Sequence, residues 1–422
     1  MLFIYNIIIN LVILFSPIVI LVRILKKKEH PIRFLEKFSI ASKKRGNGKI
    51  IWFHGSSVGE ILSIIPLIEK FENRKDINRI LITSSTLSSS KVLSNYKFRK
   101  TIHQFFPIDS KFFVNRFLSY WSPSIAIFIE SEIWPNMIFK IKDNKIPLVL
   151  LNARITSKTF EKWKILNSFS KNIFKCFDIT FPQNEETKKY LFLLGARKID
   201  LIGNLKFSEN ETKKQNSIKN KIIKFFRSKL IWCASSTHHN EEILCAKTHM
   251  KLKKKYPNLL TIIIPRHVNR IDNIKSSIES LKLKTYCHSE KKIPNKDIDI
   301  YFVDTYGETK SFFQISKTVF LGGSIIKHGG QNPLEAIRFG CKVLHGPNVK
   351  NFKEIYNLLK LYNLSLKINN INQLINALKQ SFSHNSNSEK KIKKLKKMGL
   401  KILNITYVKL GYYIKKNEIK KT

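Results

Sequence analysis

One pattern recurs along this chain: a short apolar run that closes on a polar or glycine-containing cluster. IIWFHGSSVGE, LITSST, IAIFIESEIWPN, LVLLNAR and LIGNLKF occupy the first half. After a Lys- and Asn-rich stretch from Glu209 to Asn220, the rhythm resumes with IWCASSTHH, LLTIIIPRH, IYFVDTYGE, VFLGGS and KVLHGP. Helical patterns such as Val58 to Phe71 lie between the runs. Short apolar runs alternating with helices read as parallel strands buried on both faces, which predicts two doubly wound α/β domains. Such sheets bind ligands outside the carboxyl ends of their strands, where nearly all the polar clusters fall. The functional residues of the two halves are then expected to face each other across a cleft.

At 422 residues the chain exceeds one ordinary core, and its 43% hydrophobic content supports a folded protein. The expected division is a membrane anchor over 1–24, an N-terminal domain over 25–208, a C-terminal domain over 209–387 and a helical segment over 388–422. Leu2 to Val22 is almost wholly apolar, interrupted by Asn6, Asn10, Ser16 and Pro17, and is long enough to span a bilayer as one helix. The basic residues Arg23, Lys26, Lys27 and Lys28 follow the run, whereas a cleaved signal peptide carries its charges in front. That flank places the rest of the chain in the cytoplasm. Pro17 and the two Asn leave open a helix that enters only one leaflet.

The formal charge of +46, from 76 Lys+Arg against 30 Asp+Glu, implies anionic surroundings. The excess is mostly Lys spread through the chain, with no Arg-rich patch or recognition helix. An anionic membrane surface is therefore the expected partner, and nucleic acid is not. Cys176, Cys233, Cys245, Cys287 and Cys341 lack CxxC spacing, so neither a disulfide framework nor a zinc site is indicated.

Several strand-end residues have the chemistry of a transfer reaction. Glu60 closes HGSSVGE, where a carboxylate can take a proton from a hydroxyl over the strand ends or simply cap the following helix. Glu130 and Glu132 share one side if their strand persists, and paired carboxylates suit an oxocarbenium-like state. Lys206, Arg266 and His267 supply positive charge for a leaving phosphate; no DxD or His-rich metal signature accompanies them. His238 and His239 are further phosphate candidates, although adjacent histidines are more often surface residues. Gly307, in DTYGE, permits a turn lined by N–H groups. Val319 to Phe339, VFLGGSIIKHGGQNPLEAIRF, reads as strand, glycine-bracketed loop and helix start, with Glu335 placed to face a ribose or the helix dipole.

Together HGSSVGE, ESEIWPN, LNARIT, GNLKF, ASSTHHNEE, PRH, DTYGE, GGSIIKHGGQNPLEA and GPNVKNF resemble, in order, the motifs of the bacterial Kdo (3-deoxy-D-manno-octulosonic acid) transferase family. The resemblance implies a GT-B fold of two facing Rossmann-like domains. It implies an inverting, metal-independent and cofactor-free transfer of Kdo from CMP-Kdo to the lipid A precursor lipid IVA at the cell inner membrane. By position, Glu60 matches the family's general base, and Glu130 and Lys206 match the groups that stabilise the transition state. Arg266, His267, Tyr306, Gly307, Glu308, Asn332, Pro333, Leu334 and Glu335 match its CMP-binding segments. Two local departures are Tyr306, where Met is usual, and Asn348, where His is common. A GT-B enzyme using a UDP-sugar, or a basic membrane-tethered binding protein, are the alternative readings of the residues.

Overall fold

The computed structural model describes residues 1–209, 220–383 and 388–419. Residues 210–219 of the Lys- and Asn-rich connection, residue 387 at the expected edge of the C-terminal segment and residues 420–422 lie outside the described residues. Two compact units form, one drawn from Met1–Asn210 with Lys396–Thr422 and the other from Glu211–Leu395. The chain begins with helix α1 (Leu2–Leu25), long and apolar enough to cross a membrane.

The first unit is built on β1 (Ile50–His54), β2 (Arg79–Ser84), β3 (Thr101–Phe105), β4 (Ile125–Ile129), β5 (Leu148–Ala153) and β6 (Ile179–Pro182). They form one parallel sheet in the order β3-β2-β1-β4-β5-β6. Alternation along each strand sends its side chains to two separate cores, as a period of two requires. Trp52, Phe128 and Leu150 enter one core, and Ile51, Phe53, Ile127 and Leu151 enter the other. The first is covered by helices Lys111–Trp121 and Pro135–Asp143, through Phe117, Trp121, Met137 and Ile141. Here Trp52 packs against Phe117 at 4.9 Å and edge-on to Phe128 at 5.3 Å, and its Nε1 donates to Thr83 Oγ1 at 2.9 Å. The second core is closed by helix α2 (Val58–Glu72) and by the C-terminal helix Ser388–Ile419, the latter through Ile402, Leu403, Leu410 and Ile414.

That C-terminal helix approaches the Lys206 segment at Gly399. A Cβ built on Gly399 would stand 2.2 Å from the carbonyl oxygen of Phe207, a separation that only glycine permits. Lys409, two turns and more further on, pairs with Asp200.

The second unit has a parallel sheet of β7 (Leu230–Thr237), β8 (Leu259–Pro265), β9 (Thr285–Cys287), β10 (Ile300–Phe302), β11 (Thr318–Leu321), β12 (Lys342–His345) and β13 (Ser365–Lys367). Their order is β13-β12-β11-β7-β8-β10-β9. Each unit is therefore a Rossmann-like, doubly wound α/β body.

Candidate active site

In the first unit β1 ends at His54 and a sharp turn delivers the chain into α2. Ser57-Val58-Gly59-Glu60 has the S-x-x-E spacing of a capping box, and the reciprocal bonds form. The Glu60 backbone N–H donates to Ser57 Oγ at 3.3 Å, while the Glu60 carboxylate accepts from Ser56 N–H at 2.7 Å, Ser57 N–H at 3.4 Å and Ser57 Oγ–H at 3.0 Å. Glu60 thus caps its helix while remaining half-buried beside open space: a Cβ on the neighbouring Gly59 would meet nothing within 4 Å.

The charge around Glu60 comes from two other carboxylates. β4 stops at Ile129, and Glu130 adopts a left-handed φ of 56° while its N–H still bonds Leu151 O at 3.0 Å. The strand therefore does not persist, and Glu130 and Glu132 leave in different directions. Glu132 is gripped by three donors or partners: Ser56 Oγ at 2.6 Å, Trp134 Nε1 at 2.8 Å and His54 Nε2 at 3.0 Å. His54 is itself locked by a ring stack on Phe106 at 3.7 Å and by Thr83 Oγ1 at 3.0 Å from Nδ1. Glu130 is buried and forms an ion pair with Lys206 Nζ at 2.5 Å. Lys206 sits in a turn set by two asparagines: Asn152 Oδ1 accepts from Leu205 N–H at 3.0 Å, and Asn204 Oδ1 from Lys206 N–H at 2.9 Å.

These contacts push two carboxylates of one cluster in opposite directions. Burial raises the Glu60 pKa to about 7, with the Glu132 and Glu130 charges adding to it against the hydrogen bonds from Ser57 and Ser56. Burial also opposes ionisation of Glu132, but the bonds and charge of His54, with Ser56 and Trp134, outweigh it and hold that carboxyl below its ordinary value. A pair split in this way has one member fixed as a charge and the other free to exchange a proton near neutrality. His54 and Ser56 were within the HGSSVGE pattern, and a histidine closing a buried strand was the signal that could have assigned them.

In the second unit the nucleotide candidates gather at the carboxyl ends of β8, β10 and β11. Arg266 and His267 follow β8 and are exposed; Tyr306 and Gly307 follow β10, also exposed, and Glu308 pairs with His288 Nε2 at 3.3 Å. Asn332 Oδ1 accepts from Leu334 N–H at 3.1 Å, and Glu335 reaches Lys310 Nζ at 3.5 Å, tying the segment after β11 to the one after β10. Pro333 and Leu334 turn their side chains inward, and the helix they start, Leu334–Arg338, is only five residues long.

The first glycine pair has a structural use that the sequence did not disclose. Glu241, 1% exposed at the start of helix Glu241–Lys253, accepts N–H bonds from His238 (3.0 Å), Gly323 (2.7 Å), Ser324 (3.1 Å) and Ile325 (3.0 Å). The amides of Gly323, Ser324 and Ile325, directly after β11, are therefore already bound to a carboxylate. Gly322 is required by the same contact, since a Cβ would lie 2.7 Å from Glu241 Oε2 and 2.5 Å from Ser236 O. Glu241→Ala would strand four donors, three of them buried, at about 1–3 kcal/mol for each buried one before relaxation. We expect a loss of several kcal/mol, about 3 or more, in chemical denaturation.

Paired doubly wound units of this type are the GT-B architecture, shared by glycosyltransferases and sugar-nucleotide epimerases. The fold is similar to that of a UDP-GlcNAc 2-epimerase from Neisseria meningitidis, with a TM-score of 0.58 at 15% identity over 87% of this chain and 100% of that one. The sequence pattern of the 3-deoxy-D-manno-octulosonic-acid transferase (kdotransferase) family matches residues 32–209. A 3-deoxy-D-manno-octulosonic acid transferase of Rickettsia bellii is 32% identical over 374 residues, 89% of either chain. Its counterpart in Haemophilus influenzae is 28% identical over 84% of this chain and 83% of its own. The chain belongs to the Kdo transferase family of glycosyltransferases.

Proposed function

We propose that this Kdo transferase takes Kdo from CMP-Kdo and delivers it to a hydroxyl of lipid IVA, the bisphosphorylated tetraacyl disaccharide precursor of lipid A. Glu60 is the general base. The acceptor oxygen bonds to the anomeric carbon with inversion as the bond from that carbon to the CMP phosphate breaks, and the acceptor proton passes to Glu60. The observation that carries this reading is the divergence of Glu60 and Glu132, which leaves Glu60 with a pKa of about 7 beside a fixed anion. The Glu130–Lys206 pair offers both signs of charge to a transition state that separates charge.

Arg266 and His267 hold CMP phosphate, with Tyr306–Glu308 and Asn332–Glu335 contacting the nucleotide. The basic residues Arg23 and Lys26–Lys28 keep the catalytic units on the cytoplasmic side of the inner membrane, with α1 as the anchor. Transfer from CMP-Kdo to lipid IVA in the presence of EDTA tests the assignment. A product heavier by one or more Kdo residues is expected. Folded protein that uses only a UDP-sugar, or needs added metal, would remove the donor or the metal-independent part of the reading.

A further inference from the structure

α1 is apolar around most of its circumference, with Phe3, Ile7, Leu11, Leu14, Ile18 and Leu25 all exposed. A single stripe is covered: Tyr5, Asn6, Ile9 and Ile13 are half-buried, and Ser16 and Ile20 are buried, at the spacing of one helix face. The polar interruptions noted in the sequence are partly explained by this stripe. Tyr5 Oη–H donates to Asp109 Oδ2 at 2.7 Å, and Asn136 Nδ2–H donates to Asn6 Oδ1 at 2.8 Å. Asp109 is 1% exposed and also accepts N–H bonds from Asn136 at 3.0 Å and Met137 at 2.8 Å, in the first turn of the helix Pro135–Asp143. At the other end Arg23 Nε lies 3.2 Å from Glu29, which Lys37 also binds at 2.5 Å.

Both ends of α1 are therefore fastened to the first unit. A helix of 24 residues is about 36 Å long, enough to cross a hydrocarbon core of about 30 Å. Crossing would carry Tyr5 and Asn6 to the side of the bilayer opposite Lys26–Lys28, yet their partners, Asp109 and Asn136 respectively, belong to the unit that Leu25 leads into. Tyr5, Asn6 and Asp109 would each lose a partner, and the loss is costly wherever water is excluded: within the hydrocarbon for the first two, and inside the first unit for Asp109, which is 1% exposed.

We propose that α1 lies in the plane of the membrane, docked on the first unit by its Tyr5–Ser16–Ile20 stripe, with its outer face sunk into the cytoplasmic leaflet of an anionic bilayer. An isolated interfacial helix needs a polar face of its own; here the α/β unit takes that place. Lys26, Lys27 and Lys28 are exposed at the helix end and suit anionic headgroups. Phe112, 67% exposed and three residues from Asp109, extends the apolar surface at the Tyr5 end. This inference rests on the membrane location proposed above.

The test uses the full chain with a protease-cleavable tag at each terminus. In sealed inside-out inner-membrane vesicles both tags should be cut, and in spheroplasts neither. The protein should float with vesicles containing phosphatidylglycerol, and Leu11→Glu/Ile18→Glu on the outer face should reduce that flotation more than tenfold while transfer in detergent persists. Cleavage of the N-terminal tag in spheroplasts would establish a spanning helix and overturn the in-plane placement while leaving the membrane location intact. Wild-type protein that fails to float would remove the location itself. A soluble dimer that the double substitution splits would assign the face to a second copy, again against the proposal. Transfer is read separately in detergent, so a failure of the catalytic assignment remains distinct from these outcomes.

Discussion

Replacing Glu60 with glutamine should cut Kdo transfer by about 10²–10⁴-fold, the usual contribution of a positioned general base, without loosening the fold. Glutamine serves at the third position of a capping box as glutamate does, so the bonds with Ser56 and Ser57 have a neutral substitute. The stability effect runs against the activity effect. The Glu60 pKa rises from 4.5 to about 7 in the folded protein, so between those values the native state holds more proton than the unfolded chain. Stability from this group is present below pH 4.5 and is lost as pH climbs towards 7. Above that window the variant, which never carries the charge, should melt at or above the wild-type temperature, with the gap largest at pH 8. The wild-type rate should fall on the acid side with an apparent pKa near 7, and the residual rate of the variant should lack that limb. An active Glu60→Gln enzyme, or one that melts well below wild type at pH 8, would reduce Glu60 to a helix cap.

The strands were legible because their chemistry is local. Trp52, Phe128 and Leu150 alternate with Phe53, Ile127 and Leu151, and the two cores they enter need nothing beyond that alternation. The family motifs likewise carried Glu60 and Glu130 to the ends of β1 and β4, whereas LIGNLKF forms no strand: Lys206 reaches Glu130 from the 3-10 turn Leu205–Ser208, and the charge of Glu130 acts on Glu60. What stayed hidden depends on partners far away in the chain. Glu241 binds an amide 82 positions on, so the glycines of GGS read as open to a ligand when they are needed to admit a carboxylate. Tyr5 is one polar group in an apolar helix until Asp109, 104 residues later, gives it a role. The left-handed turn at Glu130 has no glycine to announce it, and the two carboxylates of ESE share one side only in a strand that this turn ends.

The Glu130–Lys206 pair should separate folding from catalysis. Both side chains are largely withdrawn from water, at 7% and 13% exposure, and they meet at 2.5 Å. Lys206→Met leaves the Glu130 carboxylate buried without its cation, and breaking such a pair from one side costs about 3–5 kcal/mol. The same substitution removes the cation proposed to offset charge in the transition state, so transfer should fall by about 10²-fold or more. Activity loss in this variant alone therefore proves little. Glu130→Gln/Lys206→Met removes both charges while keeping similar volumes, and a neutral pair of this type is often as stable as the ion pair it replaces. The double variant should therefore regain most of the denaturation midpoint lost by Lys206→Met while its transfer rate stays as low. Recovery of both quantities would make the pair a structural clamp. Recovery of stability alone assigns the charges to the reaction, because the packing would be restored and only the electrostatic contribution would be missing.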